Sequence, residues 1–383
     1  MTTVHPLIRP FAALRPLPEH AAAVAAPPYD VLSSDEARAR AAGQPYSFLH
    51  ISKAEIDLPP EVDHYSPEVY AKSAENLKRL IDGKILMREN KSCYYAYRLV
   101  MGTHAQTGLI AVASVAAYDD ERIRRHEFTR PDKEDDRVRQ IEALNAQTGP
   151  VLLAHPDSDE AERLVAAATA AAPVADLVAG DGIRHTVWRI DDEAVIGRIG
   201  AVVEAMPALY IADGHHRSAA ASRVAAARRQ AGGNATDSAE YFLAVIFPAR
   251  QMRILDYNRV VRDLHGLSAE AFLDAVGKAC AVAPSAAAAR PERPGTFGLY
   301  LGGRWYRLSI RPELVPARDP VRRLDVSVLT EQILGPILGI TDLRRDTRID
   351  FVGGIRGLSE LERRVDSGEM AAAFAVHPTQ LSE

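Results

Sequence analysis

The chain has 383 residues, 47% of them hydrophobic and 25% charged, with a formal net charge of -5 and a pI of about 6.2. That length suits two or three domains of about 100–200 residues each, and the composition is that of a soluble globular protein. The acidic balance excludes a general nucleic-acid binder. Two isolated cysteines, Cys93 and Cys280, exclude a disulfide framework, zinc ribbon or iron–sulfur cluster. No apolar run reaches the ~18 residues of a membrane span, so the cytosol is the expected compartment and no membrane partner is expected.

Taken in chain order, the first ~60 residues are rich in proline and poor in periodicity, and predict an extended layer with one short helix near Ser34 to Ala42. Ser66-Pro67 opens a helix to about Ile81, closed by Gly83. Cys93 to Val100 and Gly108 to Val115 read as paired strands around Gly102-Thr103-His104. A charge-dense stretch from Arg124 to Arg137 feeds a helix to about Gln147, broken by Gly149-Pro150, and Val151 to Ala154 reads as a buried strand. Helices are predicted over Ser158 to Ala172 and Ala194 to Ala205, with a strand at Thr186 to Ile190 between them.

Leu209 to Ala212 is a predicted strand, and Ser218 to Gln230 a predicted helix ended by Gly232-Gly233. Tyr241 to Phe247 and Ile254 to Val261 follow as strands. Ala283 to Arg293 reads as a linker or surface excursion. Gly298 to Leu308 is a hairpin turning at Gly302-Gly303, Val326 to Leu334 a helix, and Met370 to Val376 a last strand. No repeat of solenoid length is present. The expected fold class is α+β, with a small mixed sheet at its centre and helices around it.

The strand-to-helix turn carries Asp213, Gly214, His215, His216 and Arg217. A helix start offers unpaired backbone N–H groups at a positive dipole end, and an arginine fork with imidazole donors beside it makes a phosphate site. The bland alternative is a cap: Asp213 as capping carboxylate, Gly214 for the turn, and surface histidines. A second constellation, His126-Glu127 followed by Thr129, Arg130, Lys133, Asp135, Asp136 and Arg137, offers a general acid or base, or a Mg²⁺ ligand beside phosphate. Its alternative is a solvated charged loop with local ion pairs. Pro27-Pro-Tyr-Asp-Val31 either caps the next helix through Asp30 or delivers that carboxylate to a cleft. Asp256, Asn258 and Arg259 follow a strand in Leu255 to Val260, and read either as polar strand ends or as ligands.

A zinc site assembled in space from His126, Asp213 and one of the two histidines is a further alternative. Adjacent histidines rarely turn both rings to one ion, however, and helical zinc pairs prefer an i, i+4 spacing. The Gly-x-x-x-x-Gly-Lys-Ser/Thr loop, the Gly-x-Gly-x-x-Gly turn and the Gly-x-Ser-x-Gly elbow are all missing. That argues against an ordinary P-loop enzyme, Rossmann dehydrogenase or α/β-hydrolase.

Ala26 to Val31, Arg125-His-Glu-Phe-Thr129 with Lys133 to Arg137, Tyr210 to Arg217 and Leu255 to Val260 together resemble, in order, the bacterial and archaeal family known as domain of unknown function 1015 (DUF1015). More distantly, Asp213-Gly-His-His-Arg217 is similar to the signature turn of the ParB/sulfiredoxin superfamily. Sulfiredoxins carry Gly-Cys-His-Arg there, and free-serine kinases an Asp-Gly-x-His-Arg type of turn. The resemblance implies a ParB/sulfiredoxin-like mixed-sheet core with an N-terminal Pro-rich layer and additional C-terminal α/β elements, in which His216 and Arg217 hold nucleotide phosphates. His215 at the sulfiredoxin cysteine position speaks against sulfinic-acid repair. The acidic charge and the want of a helix-turn-helix speak against ParB-like partitioning. Relatives also continue into a Met-Pro-Pro-Lys-Ser-Thr segment, whereas this sequence ends Gln380-Leu-Ser-Glu383.

The expected organisation is 1–88 as the Pro-rich layer and helix, 89–262 as the nucleotide-binding core, and 263–383 as a C-terminal α/β region. The expected function is a nucleotide-dependent phosphotransferase acting on a small hydroxyl metabolite, with free serine implied by the resemblance. Its ligands are ATP or ADP with Mg²⁺. His126, Glu127 and Asp213 are the candidate catalytic groups, and Gly214, His215, His216, Arg217, Lys133, Arg137 and Arg259 the candidate nucleotide ligands. Asp213 and Asp30 are the candidate Mg²⁺ ligands. The alternatives are a non-catalytic nucleotide-binding regulator and a metal-dependent hydrolase. Oligomerisation is left open.

Overall fold

The computed structural model describes residues 5–127, 129–232, 238–316, 318–343 and 345–379. The chain is a mixed α/β protein in two units, Met1–Met252 and Arg253–Glu383. The strands of the first unit are β1 (Ile8–Arg9), β2 (Leu14–Pro16), β3 (Leu86–Arg88), β4 (Tyr94–Met101), β5 (His104–Ser114), β6 (Ile123–Arg124), β7 (Val151–His155), β8 (Ala175–Val178), β9 (Arg184–Ile190), β10 (Leu209–Asp213) and β11 (Tyr241–Pro248). Nine of them form one sheet in the order β6-β10-β7-β11-β5-β4-β9-β8, with β1 added beside β5. β10 runs parallel to β6 and β11 parallel to β7, and the other pairs are antiparallel. The sheet is thus mixed, as expected, but large rather than small.

The centre of this sheet is built for close packing. Apolar residues of β5, β7, β10 and β11 join Trp188, Ile199 and Val203 in one core. Gly108 sits mid-strand in β5 because a Cβ there would stand 2.5 Å from the Ile246 carbonyl oxygen and 2.7 Å from the Phe247 ring. The proline-rich segment contributes β1 and pairs β2 with β3. Its Ser34–Ala41 helix is closed by a reciprocal cap between Ser33 and Glu36, so Asp30 does not cap it.

The Pro67–Asp82 helix packs on Pro131–Leu144, which packs on His215–Gln230. The Pro131–Leu144 helix stops short of Gln147 because Asn145 turns left-handed at φ 49°. Of the predicted stop after Gln230, Gly232 lies within the described residues and Gly233 outside them.

The second unit has β12 (Tyr257–Val261), β13 (Cys280–Ser285), β14 (Thr296–Leu301), β15 (Arg304–Ile310), β16 (Ile349–Gly353) and β17 (Ala372–Val376). They form an antiparallel sheet in the order β13-β15-β14-β17-β12-β16. Alternate residues feed two cores, one around Val261, Phe272 and Phe374, the other around Val260, Leu361 and Ala373. The Gly302-Gly303 hairpin is present, with φ of 57° and 76°. The predicted excursion over Ala283 to Arg293 is corrected: its start belongs to β13, and Ala289 is buried against Gly298. Low-complexity alanine suits either role, and strand pairing with β15 decided it.

Candidate functional site

β10 delivers Asp213 at its end. A bulge between Ile211 and Asp213 breaks the ladder against β7, and Asp213 is exposed. Gly214 then adopts φ 99°, and the helix begins at His215, three residues before the predicted start. The left-handed glycine reverses the chain earlier, so both histidines and Arg217 lie in the first turn. Gly214 is itself the N-cap, and among the described residues no side chain caps this helix. Asp213 therefore does not serve as the cap; its Oδ2 accepts instead from Arg217 Nη2 at 2.5 Å.

Arg217 is committed to the protein. Nη1 donates to the Pro150 carbonyl, and the side chain, only 15% exposed, lies against the backbone of Gly149 and Gly214. The guanidinium pins the Gly149-Pro150 break to the turn that starts the helix.

The histidines divide their work. His215 is 5% exposed. Its Nε2 lies 3.5 Å from the His126 amide, which can only donate, so Nδ1 carries the proton and faces Glu127 Oε2 at 3.6 Å. The His126 ring meets it edge-on, with centroids 4.5 Å apart. Burial, with the charges of His126 and His216 adding to it, holds the His215 imidazole below its ordinary range. His216 is half-buried, and its Nε2 accepts from the Arg130 amide at 3.1 Å. His126 and Glu127 are exposed. Phe128 between them and Thr129 lies outside the described residues.

A third segment joins these two. The Tyr29 ring carries the Arg137 guanidinium at 3.9 Å, and Arg137 also holds Asp136, which accepts from Tyr70. Burial raises the pKa of the Tyr29 hydroxyl, against the charges of Arg137 and Arg217. The sequence reading chose Asp30 from this segment. Asp30 is exposed on the Tyr29–Val31 turn, whereas Tyr29 makes the contact. An aromatic between two prolines and an acid was the available signal. Lys133 is bonded to the Tyr65 hydroxyl at 3.2 Å. Arg223 ties the two helices through Glu134 and Asp135. Arg259 belongs to the second unit.

Among the described residues, no three His, Cys, Asp or Glu side chains are grouped to hold a metal ion. No helix among them is long and apolar enough to cross a membrane.

Residues 8–327 match the sequence model of the family described as "Protein of unknown function (DUF1015)". The chain belongs to that family. No curated protein matches it. Among solved structures it is similar to a free serine kinase in complex with AMP, at 12% identity and a TM-score of 0.32, and to a mutant free serine kinase in complex with ADP, at 14% and 0.30. Each match covers 72% of this chain and 79% of the other. Backbone agreement at that level transfers no site from those enzymes to this family member.

Burial lowers the pKa of His155, His185 and His215 alike. The unfolded chain then takes up protons first, near an ordinary imidazole pKa of about 6.5. The stabilisation from these neutral rings is complete above that pH and drains away as the pH falls toward each lowered folded value. Calorimetric melting midpoints should therefore fall between about pH 6.5 and 5, before ordinary carboxylates titrate. His215→Gln should flatten that fall in part. A midpoint independent of pH across this window would contradict the assignment.

Proposed function

We propose that the Asp213–Arg217 corner holds the phosphates of a nucleotide, ATP or ADP, and that the chain is a phosphotransferase acting on a small hydroxyl metabolite. The observation that supports this most is the helix start at His215. Its first-turn N–H groups are capped by no side chain among the described residues, and it follows a turn that glycine makes at φ 99°. Such a terminus attracts anions through its dipole and its unpaired donors. The donor set fits: His216 lies in the same turn, and Lys133 and Arg137 lie on the helix packed against it. Arg217 shapes the corner by fixing Gly149-Pro150 and Asp213.

Within this reading, the first-turn amides and His216 orient the phosphates, and Lys133 and Arg137 neutralise them. Glu127 or His126 takes the acceptor's hydroxyl proton, with buried His215 holding both in place. Mg²⁺ would be held by Asp213 together with phosphate oxygens, since nucleotide Mg²⁺ usually keeps only one or two protein carboxylates. It would supply charge neutralisation during transfer. Free serine is the acceptor to try first, because the Asp-Gly-x-His-Arg type of turn resembles that of free-serine kinases. A zinc-hydrolase reading finds no three-donor group among the described residues to support it.

Calorimetric titration with ATP, ADP and CTP tests the binding step. Lys133→Ala should weaken the nucleotide that binds by about tenfold, or ~1.4 kcal/mol, at unchanged melting temperature. Absence of heat from all three at millimolar concentration removes the proposal. Binding without a phosphate ester forming from serine or a panel of hydroxyl metabolites would leave a nucleotide-binding regulator.

A further inference from the structure

Arg259 on β12 is 6% exposed. Its ladder neighbours are Phe351 on β16 and Phe374 on β17. Its guanidinium carbon stands 5.4 Å from the Tyr257 ring and 5.2 Å from the Phe351 ring, and these two rings stack 5.2 Å apart at 9°. A guanidinium has five N–H donors and no acceptor. Among the described residues, the Tyr257 carbonyl is the one protein acceptor that Arg259 reaches. Among these residues its Nε has no partner, and no carboxylate lies within ion-pair distance.

The other deeply set arginines differ. Arg137 holds Asp136, Arg217 holds Asp213, and Arg364, as buried as Arg259 and in the same unit, holds Asp350 and Glu369. Burial brings the Arg259 pKa down to about 10, so it remains charged at neutral pH. Ring faces attract a cation but accept no in-plane N–H bond of the kind an oxygen accepts. The donor edge thus lacks its acceptor, and a buried charge in that state is costly.

We propose that Arg259 receives an oxyanion, carboxylate or phosphate, of a small ligand bound in the second unit. The planar fork matches either group through two parallel hydrogen bonds. Tyr257, 54% exposed, keeps one side of the aromatic stack in solvent, and the buried Asp256–Asn258 hydrogen bond holds the strand beside it. The inference uses residues of the second unit alone and stands or falls apart from the Asp213 corner.

The test follows arginine Nε–H signals of the full-length ¹⁵N-labelled protein, with the Arg259 signal assigned by its loss in Arg259→Lys. Inorganic phosphate and formate are added separately at constant ionic strength. A saturable shift of the Arg259 signal is expected. A response to phosphate alone identifies a phosphate-bearing ligand, and a response to formate alone a carboxylate. The anion that shifts the signal should also raise the melting midpoint of the wild type and leave that of Arg259→Met unmoved. If neither anion moves the Arg259 signal of the wild type, the proposal is overturned.

Discussion

Gly214→Ala is expected to abolish nucleotide binding and to cost about 1–3 kcal/mol of stability, the range for a side chain forced into a sparsely populated backbone region. Gly214 sits at φ 99°, where a Cβ is strained whatever the space around it. Space is short as well: that Cβ would stand 3.2 Å from Val151 Cα and 3.2 Å from Arg217 Nε. The strand cannot retreat, because β7 lies between β10 and β11. Relief must come from the turn itself, which would swing the first-turn amides of the His215–Gln230 helix away from their common focus. Urea unfolding reads the stability, and ADP titration at a temperature where the variant is folded reads the binding. Unchanged binding in a destabilised variant would show that the corner is merely a structural turn.

Arg217→Lys is expected to lose about 2 kcal/mol, within the range of hydrogen bonds made by charged groups. The change keeps the charge and most of the shaft. It removes the fork whose Nη1 reaches the Pro150 carbonyl while Nη2 reaches Asp213, and a single ammonium cannot serve both at once. Exposure of the Asp213 carboxylate screens part of its contribution, so most of the loss comes from the carbonyl left without its donor. Stability and nucleotide affinity should fall together in Arg217→Lys, whereas Lys133→Ala should lower affinity alone. Loss of affinity at full stability in Arg217→Lys would instead make Arg217 a direct phosphate ligand.

Several features were legible because their signals are local. Pro67 after Ser66 starts its helix as read, Gly302-Gly303 turns its hairpin, and the ladder of β4 on β5 follows from alternating residues around Gly102. The start of the His215–Gln230 helix was misplaced because the left-handed conformation of Gly214 is a property of the packed turn, not of the pentapeptide. The strands β1, β2, β3 and β6, of two or three residues each, carry too few residues for a period to stand out. At the site, His126, Glu127 and His215 were named, and they do meet. Tyr29 was passed over for Asp30, since nothing within its own segment announces a cation 108 positions away in the chain.

By itself the amino-acid sequence determined the family, the strand-to-helix turn carrying two histidines and an arginine, and the alternation of apolar residues from which the strands are made. Those depend on residue identity over a few positions, where backbone propensity and side-chain period act. Tertiary structure alone decided that the turn begins its helix at His215, that Arg217 spends its donors on Pro150 and Asp213, and that Arg137 lies over Tyr29. It also left Arg259 buried without an acid among the described residues. A charged side chain takes whichever partner the packing of distant segments brings within about 3 Å, the range of a hydrogen bond, and that choice is written in no single stretch of the chain.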